Sequence, residues 1–403
     1  MTADITALDA HEQPSEYLRG KWKIYSKAAP EDIASSGDID EIEVPAEDSS
    51  DGAEGNKSRR QTFQPVSTLP GERIRAAFEE FLADKSPVDG DVGNDDETKI
   101  DGDKAASETP DIPIYAHPLL PGLLIVPRLV PLRVQKRLLD RMVHRDLANP
   151  RHQTNMHLHY DLPYPDNGAS FFTYPPPANA HSVDVLQGPG TFQPKDPSVH
   201  RALSIQQVLD KRLHWVTLGG QYDWTRRVYP DGVEEDEDDE KNKIPRFPTD
   251  LTRLLAGLFP ETDAQAAIVN FYTPGDTMMI HRDVSEETDK GLISLSIGCD
   301  ALFMAAPTGE FKDEAEHKEC KDGKDGKDGR EPYILIRLRS GDALYMSGHA
   351  RFAWHGVPKV IKGTCPDELV AWPAGEHTDD RYEAWRGWMR NKRVNFNVRQ
   401  MRD

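Results

Sequence analysis

Cysteine is scarce in this 403-residue chain. The three present, Cys299, Cys320 and Cys365, show no C-x-x-C spacing. A disulfide framework is thereby excluded, and a reducing compartment is the expected setting. Long apolar runs are lacking as well: none reaches the roughly 18 residues that mark a membrane-spanning helix. The acidic opening MTADITALDAHEQPSE has neither the apolar core of a signal peptide nor the arginines of a transit peptide. Nucleus or cytoplasm, or both, is the expected location. Net basicity is also missing, with a formal charge of −20. The excess is uneven, however. Residues 1–110 hold 26 Asp/Glu against 12 Lys/Arg, and eight further acids crowd into residues 231–240. Outside those stretches the chain is close to neutral, and its last 23 residues, 381–403, carry seven bases and two acids. The overall acidity therefore does not exclude a nucleic-acid partner.

Apolar residues are also sparse at the N-terminal end. Residues 1–110 read as a mostly disordered acidic region, since 31–57 and 85–110 are too poor in apolar side chains to fold alone. Two islands interrupt it. Residues 17–26 (YLRGKWKIYS) mix aromatics and bases, which suits docking on a folded core or, less directly, a nucleic-acid contact. Residues 71–84 have the spacing of a short amphipathic helix through Ile74, Phe78 and Leu82. A single domain is expected over 111–403, with flexible insertions at 231–243 and 310–331. Further helices are expected over 131–145, over 247–259 with Thr249 or Asp250 as N-cap, and over 379–391. A buried strand is expected at 119–130. His152, His157 and His159 are irregularly spaced and read as ordinary polar packing rather than as a second metal site.

Chemistry concentrates in residues 270–306, NFYTPGDTMMIHRDVSEETDKGLISLSIGCDALFMAA. His281 and Asp283, one residue apart after the apolar Met278-Met279-Ile280, point to one side if they end a buried strand. An imidazole beside a carboxylate is two-thirds of the two-His, one-carboxylate triad that holds non-haem Fe(II) and leaves positions open. The third ligand is expected downstream. His355 has an apolar approach and a Gly exit, whereas His349 lies between Gly348 and Arg351 in the loop before it. The run 393–399, RVNFNVR, alternates without a break, so Arg393, Asn395, Asn397 and Arg399 share one strand face. Guanidinium groups turned into a barrel are costly unless an anion meets them, and their fork geometry suits a carboxylate.

The elements N-x-Y-x-P-G-D, H-x-D, S-L-S-x-G, S-G-x-x-R-x-x-x-H-x-V-P and R-x-N-x-x-x-R, in this order, resemble those of the AlkB family of Fe(II)- and 2-oxoglutarate-dependent dioxygenases. Ser285-Glu286, the WVTLG run and the ending RVNFNVRQ are most similar to the eukaryotic AlkB homologue 1 branch. The resemblance implies a mainly β, α+β fold, a double-stranded β-helix (jelly roll) with flanking helices. It implies His281, Asp283 and His355 as ligands of Fe(II), with 2-oxoglutarate and molecular oxygen as co-substrates. Arg393 and Tyr272 would meet the distal carboxylate, and Arg399 and Asn270 the near one, with Asn395 on the same face.

The resemblance further implies oxidative removal of N-methyl groups, as formaldehyde, from nucleobases in tRNA or DNA, the base being flipped out of its stack. Residues 213–229 would form the lid that receives it, with Trp215 and Tyr222 stacking and Arg226 and Arg227 on phosphates. A core position in a barrel strand is the other reading of Trp215. Ser285 stands where bacterial AlkB has a second, base-reading Asp, so substrate preference does not carry over from that enzyme. Two rival classes remain: a protein-modifying oxygenase, acting for example on a histone, and an interaction protein with a dead metal site.

Overall fold

The alternating run at 393–399 becomes the spine of the larger of two stacked sheets. In the computed structural model, which describes residues 9, 11–42, 62–86, 109–177, 188–222, 245–308, 331–376 and 380–403, it is the last of fifteen strands. In chain order these are β1 (Gln64–Leu69), β2 (Ile112–His117), β3 (Leu120–Val126), β4 (Tyr160–Asp161), β5 (Thr191–Pro194), β6 (Leu203–Ser204), β7 (Trp215–Gly219), β8 (Ala266–Tyr272), β9 (Met278–His281), β10 (Leu292–Gly298), β11 (Ala301–Ala306), β12 (Ile334–Leu338), β13 (Ala343–Met346), β14 (Trp354–Val360) and β15 (Arg393–Arg399). Eight strands form the large sheet in the order β1-β2-β3-β13-β10-β15-β8-β7, and four form the small sheet in the order β12-β11-β14-β9. From β8 onward the chain keeps crossing between them: β8 large, β9 small, β10 large, β11 and β12 small, β13 large, β14 small, β15 large. All these pairings are antiparallel. This is the double-stranded β-helix that the motifs imply.

Register separates the two faces of the large sheet. Tyr272 pairs with Arg393, Asn270 with Asn395, and Asn395 in turn with Ser296, so polar residues line up across β8, β15 and β10 on the inner face. The intervening Val269, Phe271, Leu295, Ile297, Val394, Phe396 and Val398 are buried on the outer face. Among the helices, α1 (Glu16–Lys27), α2 (Pro30–Ser35), α3 (Gly71–Ala83), α4 (Leu132–Leu139), α5 (Ile205–Gln207) and α6 (Thr249–Leu258), it is α3, α4 and α6 that cover this outer face. Phe78 and Phe81, Val134 and Leu138, and Leu251 and Leu255 pack into one core with the strand residues. Each such side chain contributes about 1.5–3 kcal/mol on burial. The inner face is thereby left free for chemistry. No helix among the described residues is long and apolar enough to cross a membrane.

Several local expectations need correction. The helix at 249–258 is preceded by Pro248, and neither Thr249 nor Asp250 caps it. Asp250 is instead occupied by Arg145, at 2.7 Å. The helix expected over 131–145 is α-helical only to Leu139 and widens into a π-helix at Asp140–Asp146, where buried Asp140 accepts the Trp372 indole N–H at 3.0 Å. The expected helix at 379–391 is two 3-10 turns, Glu383–Trp385 and Trp388–Asn391, parted by Gly387 with φ of 90°. That conformation favours glycine and stops a helix. The strand expected over 119–130 ends at Val126.

Within the acidic N-terminal region the described residues are folded onto the core. The aromatic island is α1, whose Leu18 and Tyr25 are buried against the small sheet. The Asp40 N–H donates to the Leu335 carbonyl at 2.7 Å, and β1, without a strand signal in its sequence, adds a strand to the large sheet. The insertions expected at 231–243 and 310–331 lie outside the described residues, apart from Glu331.

Candidate metal and co-substrate site

His355 and His281 face each other because β14 lies against β9 with these two residues in register. Gly356 permits the approach: a Cβ there would fall 2.9 Å from the Met278 carbonyl oxygen. The imidazole centroids are 4.4 Å apart. Asp283 lies two residues past the end of β9, with its carboxylate oxygens 3.6 Å from His281 Nε2 and 3.8 Å from His355 Nε2. One ligand atom from each of the three falls within 4.8 Å of the others, the single such cluster among the described residues. His349, the rival third ligand, is exposed on a 3-10 turn.

Tautomer control shows that this trio fits a divalent metal. His281 Nδ1 donates to the Met279 carbonyl at 2.9 Å, and His355 Nδ1 donates to the Ala353 carbonyl at 3.0 Å. Both Nε2 lone pairs are thereby turned toward Asp283, as a metal-binding histidine requires. Burial and the neighbouring His281 push the enclosed His355 imidazole down to about 4, so it is neutral and unprotonated at neutral pH. Burial alone would raise the Asp283 carboxyl, but the Arg399 guanidinium, then His281, His355 and Arg351, hold it well below the usual carboxylate range.

A buried charge network behind Asp283 keeps it in place. Glu286 accepts from Arg351 Nη2 at 2.9 Å and from Arg399 Nη1 at 3.1 Å. Arg351 Nη1 also donates to the Asp283 backbone carbonyl at 2.8 Å, and Arg399 Nη2 reaches Asp283 Oδ2 at 3.4 Å. The motifs containing Glu286 and Arg351 are visible in the sequence, but their mutual contact is not. A second brace comes from the N-terminal segment. Trp22 Nε1 donates to the Met278 carbonyl at 2.9 Å, and Arg282, between the two ligands, stacks on Trp354 and pairs with Glu12.

Toward the other end of the inner face Arg393 is 2% exposed, with Nη2 donating to Ser296 Oγ at 2.8 Å and Nη1 to the Cys299 carbonyl at 3.4 Å. Its Nε has no partner among the described residues. Arg393, Asn270, Tyr272, Asn395, His281 and His355 all line one cleft. Burial lifts the Tyr272 phenol to about 12, so it remains an O–H donor. An interior cation with an unused donor beside a neutral phenol is a receptor for a carboxylate. The Asn395 amide donates to Ser294 Oγ at 2.7 Å, which places it in the wall of the cleft.

Of the residues assigned to substrate, Tyr222 and Ser285 come together, their hydroxyls 3.1 Å apart beside the Asp283–Glu286 loop. Trp215 opens β7, an edge strand of the large sheet, rather than a separate lid. It is half-buried and stands opposite Asn270, which puts it on the cleft face at the sheet's rim. Arg226 and Arg227 lie outside the described residues. His152, His157 and His159 part company: the first bonds the Asp146 carbonyl, the second Thr154 and Tyr164, and the third packs on His200.

A jelly roll with a two-His, one-carboxylate cluster at one end of an arginine-lined cleft defines a non-haem iron oxygenase architecture, and residues 170–399 match the 2OG-Fe(II) oxygenase superfamily. Among curated proteins, the N6-methyladenosine RNA demethylase ALKB1 of Pyricularia oryzae is 50% identical over 417 residues, covering all of both chains. The N6-methyladenosine RNA demethylase ALKBH of Cryphonectria parasitica is 58% identical over 253 residues, 62% of this chain and all of its own. The tRNA demethylase abh1 of Schizosaccharomyces pombe is 33% identical over 296 residues, 72% of this chain and 82% of its own. The chain belongs to the AlkB family of 2-oxoglutarate- and Fe(II)-dependent dioxygenases, in its AlkB homologue 1 branch.

The arginine in the cleft gives a direct expectation. If Arg393 receives the distal carboxylate, as the resemblance implies, Arg393→Ala removes that carboxylate's buried partner, a change that costs on the order of 2–5 kcal/mol. The apparent affinity for 2-oxoglutarate falls roughly 30-fold or more, read by isothermal titration in the presence of Mn(II). An unchanged affinity would place the distal carboxylate on another base.

Proposed function

We propose that this enzyme removes methyl groups oxidatively from adenine bases in RNA, with N6-methyladenosine as the first candidate. The observation that carries the reading is the ordered His281–Asp283–His355 cluster beside Arg393 in a chain with two relatives, 50% and 58% identical, that are named N6-methyladenosine RNA demethylases. His281, Asp283 and His355 would hold Fe(II), and Arg393 with Tyr272 would take the far carboxylate of 2-oxoglutarate. Iron with 2-oxoglutarate and oxygen supplies the oxidant that hydroxylates an N-methyl group. Succinate and CO2 are the co-products, and the N-hydroxymethyl group then breaks its C–N bond to release formaldehyde and the bare amine.

The chain's own residues do the positioning. Arg399, shared between Glu286 and Asp283, holds the Asp283 carboxylate and would offer its positive charge to the near carboxylate of 2-oxoglutarate. Trp215 and Tyr222 flank the cleft at the rim and beside the ligand loop, where a flipped base would stack. Tyr222→Ala removes a stacking face worth about 1–3 kcal/mol per base, while Ser285 remains able to bond water. Its KM for methylated RNA rises about 5- to 150-fold, and succinate formation without RNA stays near wild type. Equal KM values would remove Tyr222 from the base site. Formaldehyde release from N6-methyladenosine RNA, methylated DNA and a methylated histone peptide, measured side by side, tests the substrate class. RNA is expected to lead; faster release from the peptide would put the protein-modifying class in its place.

A further inference from the structure

A groove away from the metal cleft collects cations in a chain that is otherwise strongly acidic. One wall is the 3-10 turn Asn155–Leu158 with His159 and Tyr160; the other runs from Val199 to Leu203 and along the wide turn Val208–Arg212 that prolongs α5. Arg201 and Arg212 belong both to this groove and to the hollow beside it that holds Lys211, and all three side chains are exposed. Neither Arg201 nor Arg212 forms an ion pair with a described carboxylate. Elsewhere on the surface Arg253 is matched by Asp84, Arg386 by Glu383 and Arg402 by Glu287. The neighbouring Asp210 is half-buried and faces Lys392.

The same groove offers ring faces. His159 and His200 lie with centroids 4.5 Å apart, and Tyr160 is 5.8 Å from His200. Val199 is 69% exposed beside them. Guanidinium groups interleaved with at least partly exposed rings are the composition that tracks a single strand's phosphates and stacks its bases. The groove also leads to the cleft. Asn155 Oδ1 accepts from the backbone N–H of His214 at 2.8 Å and of Trp215 at 3.4 Å, which pins the groove to the start of β7. Trp215 stands opposite Asn270, a residue of the cleft wall, and the His214 carbonyl accepts from the Phe271 N–H at 2.8 Å. A strand whose target base enters beside Trp215 would pass next over His214, Arg212 and Arg201.

We infer that this groove binds the sugar-phosphate backbone of the nucleic-acid strand flanking the target base, with Arg201 and Arg212 on phosphates. The inference rests on the proposed RNA substrate, and its test separates the two. The full-length protein and an Arg201→Ala/Arg212→Ala variant are titrated against a fluorescein-labelled single-stranded RNA over a range of salt concentrations. Both residues are exposed surface side chains, so the melting temperature and succinate formation without RNA stay at wild-type values.

Loss of two phosphate contacts weakens binding about 10-fold or more at low salt, and the slope of log K against log salt becomes shallower by about 1.4. An unchanged affinity and slope would overturn the groove assignment while leaving the demethylase reading intact if the wild type still releases formaldehyde from RNA. Groove-dependent RNA binding without formaldehyde release would uphold the groove and sink the demethylase reading. A variant that keeps RNA binding but loses retention on anionic phosphatidylserine vesicles would mark the groove as a lipid-facing surface and overturn the assignment. A wild type that binds no RNA would overturn both.

Discussion

Replacing Asp283 by alanine is expected to weaken metal binding by more than about 100-fold, beyond the 10- to 100-fold that loss of an outer-shell partner costs. The carboxylate is the only anionic member of the cluster and stands between two imidazoles, at 3.6 and 3.8 Å. Its removal deletes the acceptor of Arg399 Nη2, whose guanidinium would then repel an incoming cation. Anaerobic Co(II) titration, followed by the visible absorption of the bound ion, reads the change without requiring turnover. Wild-type affinity in Asp283→Ala would remove the facial-triad assignment. His349→Ala is the matched control: it retains metal, because that side chain is exposed on the turn before β14.

Glu286→Ala is expected to be the most destabilising change near the site, at roughly 3–5 kcal/mol, the cost of leaving a buried charge without its partner. Glu286 is 3% exposed and compensates two guanidiniums that are themselves 1% and 4% exposed, Arg351 and Arg399. Neither arginine can follow the loss by turning to solvent, since Arg351 is also tied to the carbonyls of Lys290 and Asp283. Chemical denaturation measures the effect directly. Glu286→Gln separates charge from shape: it keeps the volume and one acceptor, and should recover part of the stability but little of the metal affinity. A denaturation midpoint equal to wild type in Glu286→Ala would mean that the network contributes neither to the fold nor to Asp283.

What could be read in the sequence is what sits close together along it. His281 and Asp283 are one residue apart, the arginine strand announces itself by strict alternation, and His355 differs from His349 through its immediate neighbours. The jelly roll was implied by the resemblance those pieces carry in their order, and the ligands and anchors lie on or just beyond its strands. Contacts between residues far apart in the chain gave no such signal. Glu286 meets Arg351 across 65 positions and Arg399 across 113, and Trp22 braces Met278 across 256. The acidic composition of the N-terminal region gave no sign that α1 docks on the small sheet or that β1 pairs with β2. Helix ends failed for local reasons that depend on tertiary partners: Asp140 is drawn to the Trp372 indole, and Gly387 breaks the turn between two buried tryptophans.

The most direct test of the account is to count products in one reaction. Wild-type enzyme, Fe(II), 2-oxoglutarate and RNA carrying N6-methyladenosine are incubated in air, and succinate, formaldehyde and unmethylated adenosine are quantified together by mass spectrometry. Adenosine and formaldehyde are expected in equal amounts, each matched by one succinate above the level formed without RNA. Succinate formed at the RNA-free rate, with the N6-methyl group retained in full, would contradict it.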